Sequence, residues 1–305
     1  MATSARSDPA PYLIYRPEFD RQANRRASLA VALGQALTDA ETGEASIRLD
    51  YQPVFRLRRP LSLIGVEALL RWDHELYGAI SPEETVEVAQ ATGQQAALNR
   101  FVVTSACRQA AAWSREFPEL PFLLSINASP QEVTSGDLVE NLQATVETSG
   151  TPPGSILVEI SQRIRNEDLG VVTANLEALV ALGIGIVIDD FGRGASSLSF
   201  LHELPLTAIK LDRSLVVSSL TNEADAVLAE SIVALARRLG VYAMAEGIES
   251  AEHLALTRDL GCGWGQGHYL GRPDDVASAT AELAAEANRL SVAPGPDAAP
   301  DGGSR

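Results

Sequence analysis

The sequence has 305 residues, 46% of them apolar, and a formal net charge of −16, which is chain enough for one large domain or two small ones with an ordinary core. Acidity of that size argues against a duplex nucleic-acid partner, which favours a basic face, but leaves room for a small phosphorylated ligand if metal ions supply positive charge locally. The longest apolar runs, such as "ALVALGIGIVI", stop short of the ~20 residues of a membrane span, and no apolar core follows a basic start as in a signal peptide.

Residues 1–24 mix Pro, Ser, Arg and Asp without periodicity and are expected to form a flexible segment. Over 25–45 a connector helix is expected, because "RRASLAVALGQALTDAE" spaces its apolar residues helically. Strands "ASIRLDYQPVFRL" and "LSLIGVEALLRW" follow, joined through "RRP", a link too tight for a crossover helix, so one strand is expected to run antiparallel. Helical patterns come next at "SPEETVEVAQATG" and "LNRFVVTSACRQAAAWSREF". The chain continues with strand "FLLSIN", helix "SGDLVENLQATVETSG", strand "ILVEIS", helix "GVVTANLEALVALG", strand "GIVIDD" and a short helix near "SSLSFLHEL". Strand "AIKLD", helix "NEADAVLAESIVALARRLG", strand "VYAMAEG", helix "SAEHLALTRDLG", a short strand at "GQGHYL" and helix "DDVASATAELAAEANRL" complete a domain over 46–290. Residues 291–305 are low-complexity and read as a disordered tail. Apolar strands alternating with amphipathic helices predict a mainly parallel sheet with helices outside. About eight strands in about 250 residues fit a closed (β/α)₈ TIM-like barrel better than an open sheet.

In such a barrel the active site lies at the C-terminal ends of the strands. Those ends carry Glu67, Asn127, Glu159, Asp189 with Asp190, Lys210, Glu246 and Gln266. One acidic residue at a strand end is commonly a helix cap, but this many carboxylates at one mouth repel, and divalent metal relieves them. The donors are hard oxygens, and His74, His202, His253 and His268 show no ligand spacing, so Mg²⁺ or Mn²⁺ fits and structural zinc does not. Strand alternation turns Asp189 to the axis and Asp190 to the rim, so the pair can bridge two ions ~3.5–4 Å apart, a centre suited to in-line hydrolysis of a phosphodiester. Lys210, the single lysine among 24 basic residues, would lie beside the attacking water or a phosphate oxygen. Cys107 and Cys262, far apart and without a CxxC, read as buried reduced thiols of a cytoplasmic protein.

These blocks resemble the EAL domain family of cyclic di-GMP phosphodiesterases. The triplet Glu67-Ala68-Leu69 stands within "YQPV…GVEALLRW". Also matching, in the family's order, are "SINAS" (125–129), "VEIS" (158–161), "DDFGRGASSLSFLHELPL" (189–206), "IKLDRS" (209–214), "AEGIES" (245–250) and "QGHYLGRP" (266–273). The resemblance implies a (β/α)₈ barrel with one antiparallel strand, and a Mg²⁺ or Mn²⁺ enzyme that opens cyclic di-GMP to linear pGpG, with Ca²⁺ binding without turnover. It implies that Glu67, Asn127, Glu159 and Asp189 ligate one metal and that Asp189, Asp190 and Glu246 serve the second. Lys210 and Gln266 would handle the water, with Glu249 in support. Gln52, Arg71, Asp212 and Arg272 match positions that hold substrate. The resemblance also implies a homodimer, and the helix before the barrel resembles a connector from a GGDEF domain. Trp264 and Tyr269 read as core packing, with stacking on guanine as the alternative.

The chain departs from the family pattern at Gln162, where active members have a second glutamate that anchors the loop after the Asp pair. An amide keeps size and hydrogen bonding but loses charge. In that loop Arg193 replaces a threonine and Ala195 an aromatic. Two readings therefore stand beside the enzyme: a cyclic di-GMP receptor with little turnover, which Gln162 favours, and a protein-interaction module. Lys210 favours the enzyme.

Overall fold

The computed structural model describes residues 17–42, 46–120, 122–162, 168–192 and 198–292; Arg193 and Ala195 lie outside these, as do residues 1–16 of the segment expected at 1–24 and residues 293–305 of the tail expected at 291–305. Helix α1 (Pro17–Thr42) begins before the expected residue 25, because proline at the first helical position gives up an N–H that would have no partner anyway. Its Leu29, Leu33 and Ala36, one helical stripe, are buried against Ile47, Trp72, Ile80, Val88 and Leu98, and Arg25 holds Glu84 through two hydrogen bonds of 3.0 and 2.8 Å. α1 is thereby packed along the flank of the domain.

Strand β1 (Ile47–Arg56) pairs antiparallel with β2 (Ser62–His74), whose end folds onto the short β3 (Gly78–Ile80). Helices α2 (Pro82–Ala91) and α3 (Gln95–Glu116) lead to β4 (Leu123–Ala128), and α4 (Pro130–Ser135) with α5 (Asp137–Ser149) to β5 (Ile156–Ser161). Then α6 (Leu169–Ala181) precedes β6 (Gly185–Phe191), and a 3₁₀ turn (Leu198–Glu203) precedes β7 (Ala208–Leu211). α7 (Arg213–Ser218), α8 (Glu223–Leu239), β8 (Tyr242–Ala245), α9 (Ala251–Leu260), β9 (Trp264–Gly265) and α10 (Val276–Val292) finish the fold. The strands close in the order β1-β2-β4-β5-β6-β7-β8-β9 and back to β1. β1 runs antiparallel to both its neighbours and the pairs from β2–β4 round to β8–β9 are parallel. This is the expected eight-stranded barrel with one reversed strand, plus β3 as an outrigger.

Three short elements, β3, α4 and α7, carry too few residues to show a period. The strand expected at "GQGHYL" is a correction: pairing stops at Gly265, and the chain turns at Gly267, whose backbone presses so close to Ile248 that an added Cβ would lie 2.2 Å from its nitrogen. Among the described residues no helix is long and apolar enough to cross a membrane. Both cysteines are free and buried.

Inside the barrel, Val54, Ile64, Leu157, Val187, Ala208, Met244 and Trp264 form a closed apolar cluster. A larger cluster lies between the strands and the surrounding helices. Trp264 therefore belongs to the core, as its sequence context indicates, whereas Tyr269 does not: half of it is exposed.

Candidate active site

Side chains along a strand return to the same face every second residue. Two residues beyond Leu157 stands Glu159, beyond Val187 Asp189, beyond Ala208 Lys210, beyond Met244 Glu246 and beyond Trp264 Gln266. On the reversed β1 the step runs backwards, from Val54 to Gln52. One apolar layer thus plugs the barrel, and the next layer toward the C-terminal mouth is polar. Registers agree: Asn127 pairs with Glu159, and Gln52 with Glu67.

Lys210 lies at the centre of this layer. Its Nζ donates to Glu159 Oε2 at 2.6 Å and to Glu67 Oε2 at 3.0 Å, and stands 3.7 Å from Asp189 Oδ1. Gln266 Nε2 donates to Glu67 Oε2 at 2.6 Å and Asn127 Nδ2 to Glu67 Oε1 at 2.7 Å. Burial favours the neutral form of Glu67, but Lys210 and the two amides outweigh it and hold its carboxyl below the usual range. Burial also opposes charge on Lys210, yet Glu159, Glu67 and Asp189 keep the ammonium well above its ordinary value. One cation cannot satisfy every carboxylate. Burial, with repulsion from Glu67, pushes Glu159 up to about 8; burial pushes Glu246 up to about 7 against the pull of Lys210, and Asp189 is raised by burial too. The layer holds a surplus of carboxyl groups over cations, part of which keeps its protons at neutral pH.

That surplus, and the donor chemistry, suit a hard divalent cation. Glu159 Oε1 and Gln266 Oε1 are buried with no hydrogen-bond partner, an arrangement that costs free energy unless a ligand satisfies it. Among the described residues no three His, Cys, Asp or Glu side chains already converge to hold a metal; the Lys210 ammonium stands between the carboxylates.

The simple alternation expected for the Asp pair holds for Asp189 and breaks at Asp190. The ladder between β6 and β7 shifts after Ile188, Asp190 adopts φ 57°, and its N–H donates back to Asp189 Oδ1 at 2.8 Å. A strained left-handed residue beside the polar layer is a feature of functional sites.

Residues expected to hold substrate are placed unevenly. Gln52 is buried and donates to the Gly271 carbonyl at 3.2 Å. Arg71 is tied by Nε to Asp50 at 2.9 Å and by Nη1 to the Leu70 carbonyl. Asp212 caps α7, accepting from the Ser214 N–H at 2.8 Å and from its hydroxyl, so part of its carboxylate is engaged in structure. Arg272 is exposed. Gln162 follows β5, its N–H directed at the Asp189 carbonyl at 3.4 Å. Glu249 accepts from Arg213 Nε at 2.8 Å and its N–H donates to His253 Nδ1 at 3.2 Å. Sequence reading did not single out Asp50 or Arg213. Asp50 lies on β1 two residues before Gln52, and Arg213 within "IKLDRS", so both signals were present.

The EAL domain family model matches residues 34–273. The bifunctional diguanylate cyclase/cyclic di-GMP phosphodiesterase MucR of Pseudomonas aeruginosa is 33% identical over 275 residues, 90% of this chain and 39% of that protein. The oxygen sensor protein DosP of Escherichia coli is 30% identical, over 85% of this chain and 32% of that protein. The chain spans less than half the length of these curated relatives. The solved structure of the PaMucR phosphodiesterase in complex with c-di-GMP superposes with a TM-score of 0.75 at 32% identity, covering 83% of this chain and 99% of that one.

Proposed function

The chain belongs to the EAL domain family, and from that premise we propose that it is a metal-dependent phosphodiesterase that hydrolyses cyclic di-GMP to linear pGpG in bacterial second-messenger signalling. The observation that carries the reading is Lys210 buried among Glu67, Glu159 and Asp189 at the barrel mouth, with MucR, a relative named as a cyclic di-GMP phosphodiesterase, alongside.

Glu67, Asn127, Glu159, Asp189, Asp190 and Glu246 would hold Mg²⁺ or Mn²⁺, while Ca²⁺ would bind without supporting turnover. The bound metal supplies Lewis acidity toward the phosphoryl oxygens and a more acidic water. The chain's own residues do the rest. Lys210, held cationic by its carboxylates, cannot act as a base; it orients the attacking water and stabilises charge on the phosphoryl group. Gln266 has a buried Oε1 without a partner in the same layer and would accept a hydrogen bond from that water. The apolar plug beneath excludes solvent from that side, which strengthens every charge interaction in the layer. Gln52, Arg71, Asp212 and Arg272 would bind the dinucleotide, with Arg71 first releasing Asp50. Glu249 anchors through Arg213, and Gln162 with Arg193 bears on the loop after the Asp pair. The arrangement of segments follows the same reading, with the connector lengthened to the observed α1 (Pro17–Thr42): a flexible region before that helix, the barrel domain from residue 46 and a disordered tail after α10, in a cytoplasmic homodimer.

A second reading, a cyclic di-GMP receptor with little turnover or a protein-interaction module, is favoured by Gln162. Incubation with cyclic di-GMP and Mn²⁺, followed by chromatography, separates them. The enzyme reading expects pGpG from the wild type and none from Glu67→Ala. Metal-dependent binding without product would leave the receptor.

A further inference from the structure

The opposite end of the barrel carries charge of the other sign. A depression of about 500 Å³ opens at the N-terminal mouth, between the end of β1, the starts of β8 and β9 and the last turn of α8. Its walls include Arg56, Arg58 and Arg237 and no acidic residue, in a chain with 40 acidic against 24 basic side chains. The three arginines are exposed, and none makes a side-chain hydrogen bond or ion pair among the described residues. Arg237 alone could be explained as a cation complementing the α8 C-terminus. Arg56 and Arg58 come from β1 and its following loop, so the cluster is built from separate segments.

Between these arginines lie Tyr242 and Trp264, stacked with ring centroids 4.3 Å apart and 16° between planes. Trp264 is buried in the barrel plug while Tyr242 is 53% exposed, so the pair offers one open aromatic face on a rigid base. Gly263 leaves room for that ring: a Cβ there would come within 3.3 Å of it. At the end of α8 the N–H groups of Gly240 and Val241 cover the Ala236 and Arg237 carbonyls. Guanidinium groups bind phosphate through paired hydrogen bonds, aromatic faces stack on bases, and a cavity of this size is in the range of small-molecule sites.

We propose that this mouth is a second binding site, for a mononucleotide: its phosphates on Arg56, Arg58 and Arg237, its base against Tyr242. The wall contains stacking surface and cations but no amide or acidic side chain to read a base edge, so ADP and GDP bind comparably. The site is separate from the carboxylate layer, since the apolar plug lies between them. Trp264 belongs to that plug and stands two residues before Gln266.

Calorimetric titration with ADP, GDP, adenosine and inorganic pyrophosphate, in EDTA, tests the proposal. Expected is saturable binding of both nucleotides to the wild type and equally to Glu67→Ala. Affinity should fall roughly tenfold or more in Arg56→Gln with Arg237→Gln and ~fivefold or more in Tyr242→Leu. Arg58→Gln provides a third exposed substitution, and thermal melts identify any variant that does not fold. Absence of saturable binding to the wild type, undiminished binding in the arginine variants, or loss in Glu67→Ala overturns the proposal. Pyrophosphate binding as tightly as the nucleotides removes the role of the ring, and adenosine doing so removes that of the arginines.

Discussion

Lys210 Nζ, within 3.0 Å of two fully buried carboxylates, carries the electrostatics of the mouth. Removing one partner of such a cluster leaves uncompensated buried charge. Lys210→Met should therefore cost ~3–5 kcal/mol in urea unfolding at neutral pH. Adding Glu159→Gln should recover part of that loss, and Mn²⁺ should raise the melting temperature of Lys210→Met more than that of the wild type, since a divalent cation takes over the ammonium's role. A loss under 1 kcal/mol would mean that the carboxylates are already neutral, and Lys210 would lose its assigned role. Asp190 presents a backbone effect instead. At φ 57° a Cβ is strained by ~1–2 kcal/mol that glycine avoids, so without metal Asp190→Gly should be ~1 kcal/mol more stable than Asp190→Ala. Equal stabilities would show that the left-handed conformation relaxes freely.

At the scale of elements, the polar layer depends on how closely neighbouring strands approach. Gly65 pairs with Leu123 across β2 and β4, and a Cβ on it would lie 2.1 Å from the Leu123 carbonyl oxygen. Backbone cannot retreat as a side chain can, so Gly65→Ala should cost ~3 kcal/mol or more. It should also shift Glu67, two residues on, and lower activity even below the melting transition; retained stability with full activity would contradict the packing argument. The α4 capping box, in which Ser129 and Glu132 bond each other's backbone N–H, ends β4 at Ala128, one residue beyond Asn127, and limits where that amide can stand.

For the whole molecule, stability at alkaline pH reports on the buried thiols. Burial pushes Cys107 and Cys262 from an ordinary value of 9.0 up to about 12. Below pH 9 both states keep these protons and the thiols contribute no slope. From there to about 12 the unfolded chain releases protons that the folded chain retains, so stability falls as pH rises, by ~1.4 kcal/mol per pH unit for each thiol. Burial raises Tyr51 as well, adding to the decline at higher pH. Urea unfolding from pH 8 to 10.5 should show this slope, and Cys262→Ala should reduce it; an unchanged slope would mean that the thiol is accessible in the fold. Much of this molecule was readable from sequence because its signals are local. Apolar strands alternating with amphipathic helices specify the barrel, the tight "RRP" link specifies one antiparallel strand in the first pair, and polar residues one step past each apolar strand mark the mouth. Tertiary structure alone decided how the charges pair: that Lys210 holds Glu67 and Glu159, that Arg71 is tied to Asp50, that Asp212 caps α7, and that Arg56 and Arg58 share one cavity wall with the distant Arg237 and Tyr242. Spacing along a chain fixes which face a side chain takes, whereas its partner depends on closure of the barrel, which brings residues remote in sequence within hydrogen-bonding reach.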